Sequence, residues 1–310
     1  MVNGIFKDRR LEMKRSFSQK TFDLFNMLFL ILVSFSIIFP FMHILSVSLS
    51  NNNDILAKKV GIFPTGFHIG AYITVLTDYT FLRAFVNTVF LTVVTTILSV
   101  FVNSLAAYAL SRKFYGKKFI NYFFLITMYF SGGLIPYYIL ITQVLHWYNS
   151  FAPFIFPALF SFFYIIVIRS QIELIPPSLT ESSRIDGAGE FSTIFCIVIP
   201  MILPTIAAIS MFTAIGSWNQ WFPNLLFTDK ESLWTLQYFL RQVVLEKSMN
   251  YRIMATQAIM NAGSPTDINV LSDINYQMAS IIVVILPITI IYPFIQKHFV
   301  KGILLGSVKE

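Results

Sequence analysis

"ESSRIDGAGEFSTIFCIVIP", residues 181–200, sets a polar turn with Glu181, Asp186, Glu190 and a single base, Arg184, hard against an apolar run. The turn is conspicuous because its surroundings are so greasy. Hydrophobic residues make up 56% of the 310 positions and charged residues 12%, with a mean hydropathy of +0.70. A soluble domain carries roughly 25% charged residues. The composition therefore specifies an integral membrane protein, which the long apolar runs described next make all-α, and in which a polar stretch has to lie outside the bilayer.

Working outward from the turn, apolar runs long enough to cross a membrane as helices, about 20 residues each, fall near 23–49, 86–110, 120–142, 151–170, 198–227 and 277–297. They are long and unalternating, so helices and not a barrel are expected. The first run is too long for the roughly 7–15-residue core of a signal peptide and reads as an anchor. Lys7, Arg9, Arg10, Lys14, Arg15 and Lys20 precede it. Arg112, Lys113, Lys117 and Lys118 follow the second run, and Lys297, Lys301 and Lys309 follow the last. With six spans these basic segments share one face, which the positive-inside rule makes cytoplasmic. The expected organisation is a basic cytoplasmic segment 1–22, a six-helix domain 23–297 and a cytoplasmic tail 298–310. The outer segments would be 50–85, 143–150 and 228–276. The net charge of +7 is thus read as topology and not as a nucleic-acid surface. The loop 171–197 is cytoplasmic but acidic, with Glu173, Glu181, Asp186 and Glu190 against Arg184. Orientation does not explain it.

Several chemistries are disfavoured. From Phe119 to Ile168 there is no Asp, Glu, Lys or Arg, whereas proton- and ion-coupled carriers mark their pathway with intramembrane ionisable groups. The four histidines, His43, His68, His146 and His298, are scattered, and Cys196 is the single cysteine. No metal or catalytic cluster follows from such spacing. "GAGEFST" has neither the third glycine of a dinucleotide loop nor the lysine of a P-loop. If ATP drives this protein, another chain must bind it.

Read physically, "IPPSLTESSRIDGAGEF" is a short docking helix over 179–186. Pro176 and Pro177 end the preceding segment. Ser178 and Glu181 have capping-box spacing, Glu181 and Arg184 stand at i,i+3, Gly187 falls where a left-handed stop belongs, and Gly189 allows a second turn. Glu190 would then open the next helix, where the dipole favours an acid. The same features fit a lever held outside the membrane or an ordinary capped surface helix.

Glu181, Gly187, Ile197 and Pro200 stand at the positions of the EAA signature, E-A-A-x3-G-x9-I-x-L-P, with Ser182 and Ser183 in place of the alanines and Ile199 in place of the leucine. In this the chain resembles the inner-membrane permease subunits of binding-protein-dependent ABC importers. "NTVFLTVVTTILSVFVNSLAAYALSRKFYGKK" (87–118) and "YPFIQKHFVKGILLGSVKE" (292–310) resemble the MalG-like carbohydrate branch of the LplC/YtcP type. The resemblance implies a type I importer permease fold with both termini cytoplasmic, in the bacterial plasma membrane. It also implies pairing with a second permease, two ATPase subunits that hold ATP and Mg, and an extracellular solute-binding protein. Glu181, Ser182, Ser183, Arg184, Asp186, Gly187 and Ala188 would form the coupling element seated on the ATPase. The tail from Lys301 would also touch the ATPases, and the loop 228–276 would meet the binding protein. The chain itself would bind no cofactor and catalyse no reaction.

For the passage of a sugar, "GSWNQWF" (216–222) offers Trp218 and Trp221 at i,i+3 with Asn219 and Gln220 beside them. These four residues read either as pathway or as an interfacial aromatic belt. Asn87 and Asn103 read as helix–helix contacts before pathway. The rival readings of the whole chain are a secondary transporter and a membrane protein with no transport role.

Overall fold

The computed structural model describes residues 17–245, 274–291 and Pro293. The expectations for the basic segment before Phe17, for residues 246–273 of the 228–276 loop and for the tail lie outside the described residues. Among the described residues there are helices and no strands. Four helical stretches are long and apolar enough to cross a membrane unaided: Phe17–Ser48, Tyr79–Ser111, Ala152–Ile172 and Ile274–Ile291. Two further pairs qualify together but are sharply bent. Lys117–Tyr129 and Leu134–Val144 meet at 108°, and Glu190–Met201 and Leu203–Trp218 meet at 88°. Counting each pair once gives the six spans expected, numbered one to six in chain order.

The bends have local causes. In span five, Pro200 and Pro204 are four residues apart. Proline at 204 has no N–H to give the carbonyl of residue 200, and its ring crowds that carbonyl. The helix breaks between them at Ile202, whose φ, ψ of −104°, 18° leave the helical region. In span three, the chain leaves the helix at Phe130 and re-enters after Gly133, at φ 89°, ψ 170°, a conformation that excludes a side chain. Span four opens with a broken segment, and Ser161 caps its main helix by accepting from the amide of Tyr164.

Span two is the mast of the molecule, packing on spans four and five. Its buried stripe, Ala84, Thr88, Leu91, Thr95, Ser99, Asn103 and Ala107, recurs every three or four residues and is built of small and hydroxyl side chains. In lipid, where burial gives helices no hydrophobic reason to associate, such residues allow close backbone approach and supply hydrogen bonds. Asn103 joins helices, as expected. It donates to the carbonyl of Leu159 at 3.0 Å and accepts from the amide of Ser161 at 2.9 Å, satisfying both sides of the break before span four. Asn87 likewise donates to the carbonyls of Ser232 and Trp234.

Two apolar cores form, one at each end of span two. At the Ser111 end, Ala107, Tyr108 and Leu110 pack with Phe162, Ile165 and Ile168 of span four and Ile194 to Ile209 of span five. At the Tyr79 end, Phe81 and Ala84 pack with Trp218, with Leu236, Phe239 and Val243 of a helix over 236–245, and with Tyr276, Ala279 and Val284 of span six. Span one stands apart: its most apolar window has no residue buried by the rest of the chain.

Candidate functional site: the loop helix and the central cavity

The loop helix exists, with different ends from those the sequence suggests. It runs Pro177–Ile185, two residues earlier than expected. Pro177 takes the first helical position, where a missing N–H costs nothing and the fixed φ is already helical. Ser178 therefore lies inside the first turn, the N-cap is Pro176 with no side-chain bond, and the expected Ser178–Glu181 capping box does not form. The C-terminal stop is as expected. Gly187 has φ +79°. Its amide donates to the carbonyl of Arg184 at 3.1 Å, and the amide of Ala188 donates to that of Ser183 at 2.9 Å, which together make a Schellman closure. Asp186, the C-cap, donates its amide to Ser182. Gly189 is extended, at φ −70° and ψ 164°.

Glu190 opens the next helix, as expected, so span five begins before the apolar run expected from 198. Arg184 does not pair with Glu181. It reaches across the turn to Glu190 at 2.5 Å, and this carboxylate raises the guanidinium pKa above its usual value. The other oxygen of Glu190 accepts from the hydroxyl of Tyr108 on span two, and Arg112 donates to the same hydroxyl from one turn further on. One carboxylate thus ties the loop helix, span five and span two together. Sequence reading missed Tyr108 and Arg112. Their i,i+4 spacing beside the basic "SRKF" segment was the available signal. The pair looks like ordinary interfacial decoration until the turn brings Glu190 against it.

A second tie joins spans three and four. Glu173 accepts from Arg169 at 2.8 Å and lies 3.8 Å from Lys117, while Arg169 also donates to Asn121. Of the four loop acids, Glu173 and Glu190 are therefore used within the chain. Glu181 and Asp186 are exposed and make no ion pair among the described residues. Beside them Ile185 is 86% exposed. Ser182 faces outward, whereas Ser183 is buried with its hydroxyl 3.2 Å from that of Thr193. Thr193 opens a π-helical stretch, Thr193–Val198, that leads the turn into span five.

The four residues expected along the pathway do not act together. The helix ends at Trp218 and a new one starts at Phe222, so Trp218 and Trp221 share no helix face. Trp218 is a core residue, edge-on to Phe85 at 6.2 Å. Trp221 lies at the surface with the Arg241 guanidinium 4.6 Å above its ring. Asn219 accepts from Gln237 at 3.3 Å. Gln220 alone borders a cavity. That cavity, about 560 Å³, lies among spans two to five and is lined by Thr95, Thr127, Ser161, Thr213, Ser217 and aromatic rings that include Phe160 and Tyr164. Thr95 stands halfway along span two, 16 residues from either end of Tyr79–Ser111. Its hydroxyl, that of Ser217 and the side-chain oxygen of Gln220 are buried with no partner among the described residues.

Residues 66–305 match the family of binding-protein-dependent transport system inner membrane components. The chain belongs to that family. It is 36% identical over 290 residues to the polygalacturonan/rhamnogalacturonan transport system permease protein YtcP of Bacillus subtilis (strain 168), covering 92% of this chain and 98% of the relative. It is 34% identical over 291 residues to Protein LplC of the same organism, covering 94% and 95%. Its fold superposes on a chain of a bacterial ABC transporter that imports the acidic polysaccharide alginate, with a TM-score of 0.79 and 28% identity, covering 92% and 99%. This permease is therefore an inner-membrane, multi-pass transport component and not an enzyme.

Proposed function

We propose that the chain is one transmembrane half of an ATP-driven oligosaccharide importer and that it couples to its ATPase through the Pro177–Ile185 helix. One observation carries the coupling role. The helix ends abruptly at Gly187 and is tied back through Glu190 to spans two and five, while Glu181, Asp186 and Ile185 are turned outward with no partner among the described residues. Exposed apolar and acidic groups on a rigid helix fit a protein surface better than a lipid one. The carbohydrate assignment is supported by the relatives' names.

On this reading the chain pairs with a second permease and with two ATPase subunits that hold ATP and Mg, and it receives its sugar from an extracellular binding protein that meets the 228–276 loop. Both termini and the loop helix are cytoplasmic. Two measurements test this. In a Cys196→Ser background, a cysteine at position 230 should label from outside and one at position 115 should not. Glu181→Lys should insert normally yet bring down less ATPase and lose uptake. The reverse labelling pattern, or wild-type ATPase binding by Glu181→Lys, overturns the coupling assignment.

A further inference from the structure

Span one carries charge only near its start, at Lys20 and Asp23, and from Leu24 onward it has no Asp, Glu, Lys or Arg. A hydrocarbon core of about 30 Å takes about 20 helical residues. A core that begins past Asp23, because ionisable groups are costly inside it, therefore ends near His43. Burial marks the same level independently. From Phe22 to Leu45 the residues are exposed, apart from the half-buried Val33 and Ile44, whereas Ser46, Val47 and Ser48 are covered by protein. The chain then turns back on itself. The amide of His68 donates to the carbonyl of Leu49 at 2.8 Å, and the amide of Asn51 donates to the carbonyl of Thr65 at 3.0 Å. Closer to the membrane, His43 Nδ1 lies 3.0 Å from the carbonyl oxygen of Gly61. Between the levels of Leu49 and His43 the helix falls by about 9 Å. The loop thus dips from the end of span one to the edge of the hydrocarbon core.

At that edge the loop exposes Ile62, Phe63 and Phe67, with Phe63 77% and Phe67 72% exposed, shortly after the exposed Lys58 and Lys59. We propose that residues 58–69 are an interfacial anchor in the outer leaflet. Ile62, Phe63 and Phe67 lie in the boundary between headgroups and acyl chains, and Lys58 and Lys59 lie among the lipid phosphates. The inference rests on the topology above, which makes this end of span one the outer one. Apolar side chains beside a basic pair are the chemistry of a lipid interface: the rings bury their faces, and the lysine stems reach back to the phosphates. The surface is continuous with the lipid-facing flank of span one, because Gly61 is held against that flank at His43. A binding protein docks above the headgroups, whereas these side chains are level with the start of the hydrocarbon. The anchor also has a task. The most apolar window of span one is buried by nothing else among the described residues, and a span without packing takes its depth and tilt from its interfacial residues.

The test places nitroxide labels on the complete transporter in lipid vesicles, in a Cys196→Ser background. Labels attached through Phe63→Cys and Phe67→Cys should collide more often with oxygen, which concentrates in lipid, than with a water-soluble nickel chelate. A label attached through Lys230→Cys, at an exposed outer-loop position, should show the opposite preference. Adding the binding protein should leave the labels at 63 and 67 unchanged. Lys58→Glu with Lys59→Glu should shift the label at 63 toward the nickel reagent. Labels at 63 and 67 that favour nickel overturn the proposal. So does shielding from both reagents, which makes the surface a protein interface: with the second permease if the shielding is there from the start, with the binding protein if it appears on addition. A label at 63 that ignores the two lysine changes removes the lysines from the anchor. A membrane-impermeant thiol reagent separates this proposal from the topology. Lys59→Cys should react from outside. Reaction from inside alone, with labels at 63 and 67 still favouring oxygen, overturns the topology and the outer-leaflet placement while the lipid contact stands.

Discussion

Span five is held at its two ends by different means. At the loop-helix end it is tied by one exposed carboxylate, Glu190, whose side chain is 54% exposed, to an arginine that is 50% exposed and to one tyrosine. At the far end the chain after Trp218 is fastened by buried side chains bonded to backbone. Asn224, fully buried, donates to the carbonyl of Leu233 at 3.0 Å and accepts from the amide of Thr235 at 3.1 Å. Thr235 donates its hydroxyl to the carbonyl of Gln220, and Thr88 of span two accepts from the amide of Leu236. Exposed ion pairs are worth about 0–1 kcal/mol and are readily exchanged. Buried bonds to backbone are expensive to leave unmade. The far end is a frame and the loop end is a joint.

Breaking the frame should produce the largest effect. Asn224→Ala leaves a buried carbonyl and a buried amide unsatisfied, a loss of about 2–4 kcal/mol. The purified complex should unfold at a clearly lower temperature and accumulate poorly in membranes. A variant with unchanged thermal stability would show that the far end is not rigid in this sense.

Gly187→Val strikes the joint without touching a span. Since a Cβ there meets nothing within 4 Å, the penalty is backbone strain alone, about 1–3 kcal/mol. ATPase co-purification should fall by a factor of roughly 5–150. Gly187→Asn should recover most of it, because asparagine tolerates left-handed φ. Equal loss in both variants would mean that contact with the residue matters and not its φ.

The Glu190 tie is smaller. Glu190→Ala and Tyr108→Phe should each change stability by less than about 1 kcal/mol and leave ATPase bound, while lowering the sugar carried per ATP hydrolysed. Both act on one carboxylate, so the double variant should fall short of the sum of the two losses, Tyr108→Phe adding only the bond from Arg112. Additive losses would mean that Tyr108 acts elsewhere. Smallest of all is Ser183→Ala, expected to cost a few tenths of a kcal/mol, as Thr193 keeps its bond to the carbonyl of Gly189. Co-purified ATPase measured beside wild type decides it, and a loss as large as that of Gly187→Val would give the serine a role of its own.

The contrast also explains what could be read from the chain beforehand. The apolar runs, the loop helix and the Gly187 stop depend on local chemistry, and each was legible from a few neighbouring residues. What was not legible depended on where the chain turns. Ser178 and Glu181 have ideal capping spacing, but Pro177 is a better first helical residue, so the cap was pre-empted from one position upstream. Glu181 is Arg184's neighbour on paper, and the Schellman closure brings Glu190 closer. Trp218 and Trp221 share a face only if the helix continues. Pro223, at the second position of the next helix, was the sign that a new one begins. The cavity has no sequence signature, because Thr95, Ser217 and Gln220 meet only through the packing of spans two and five.

The corner at Ile202 gives span five the form of a bell crank. One arm is Glu190–Met201 and the other Leu203–Trp218, set at 88°. At 1.5 Å per residue the arms are roughly 18 Å and 24 Å long. The long arm is fastened beside its tip, where Thr235 holds the carbonyl of Gln220, so it is the fixed member and the short arm is the one left to turn. A sideways stroke at the loop helix would then be taken up at the Ile202 corner, as a change in the angle between the two arms.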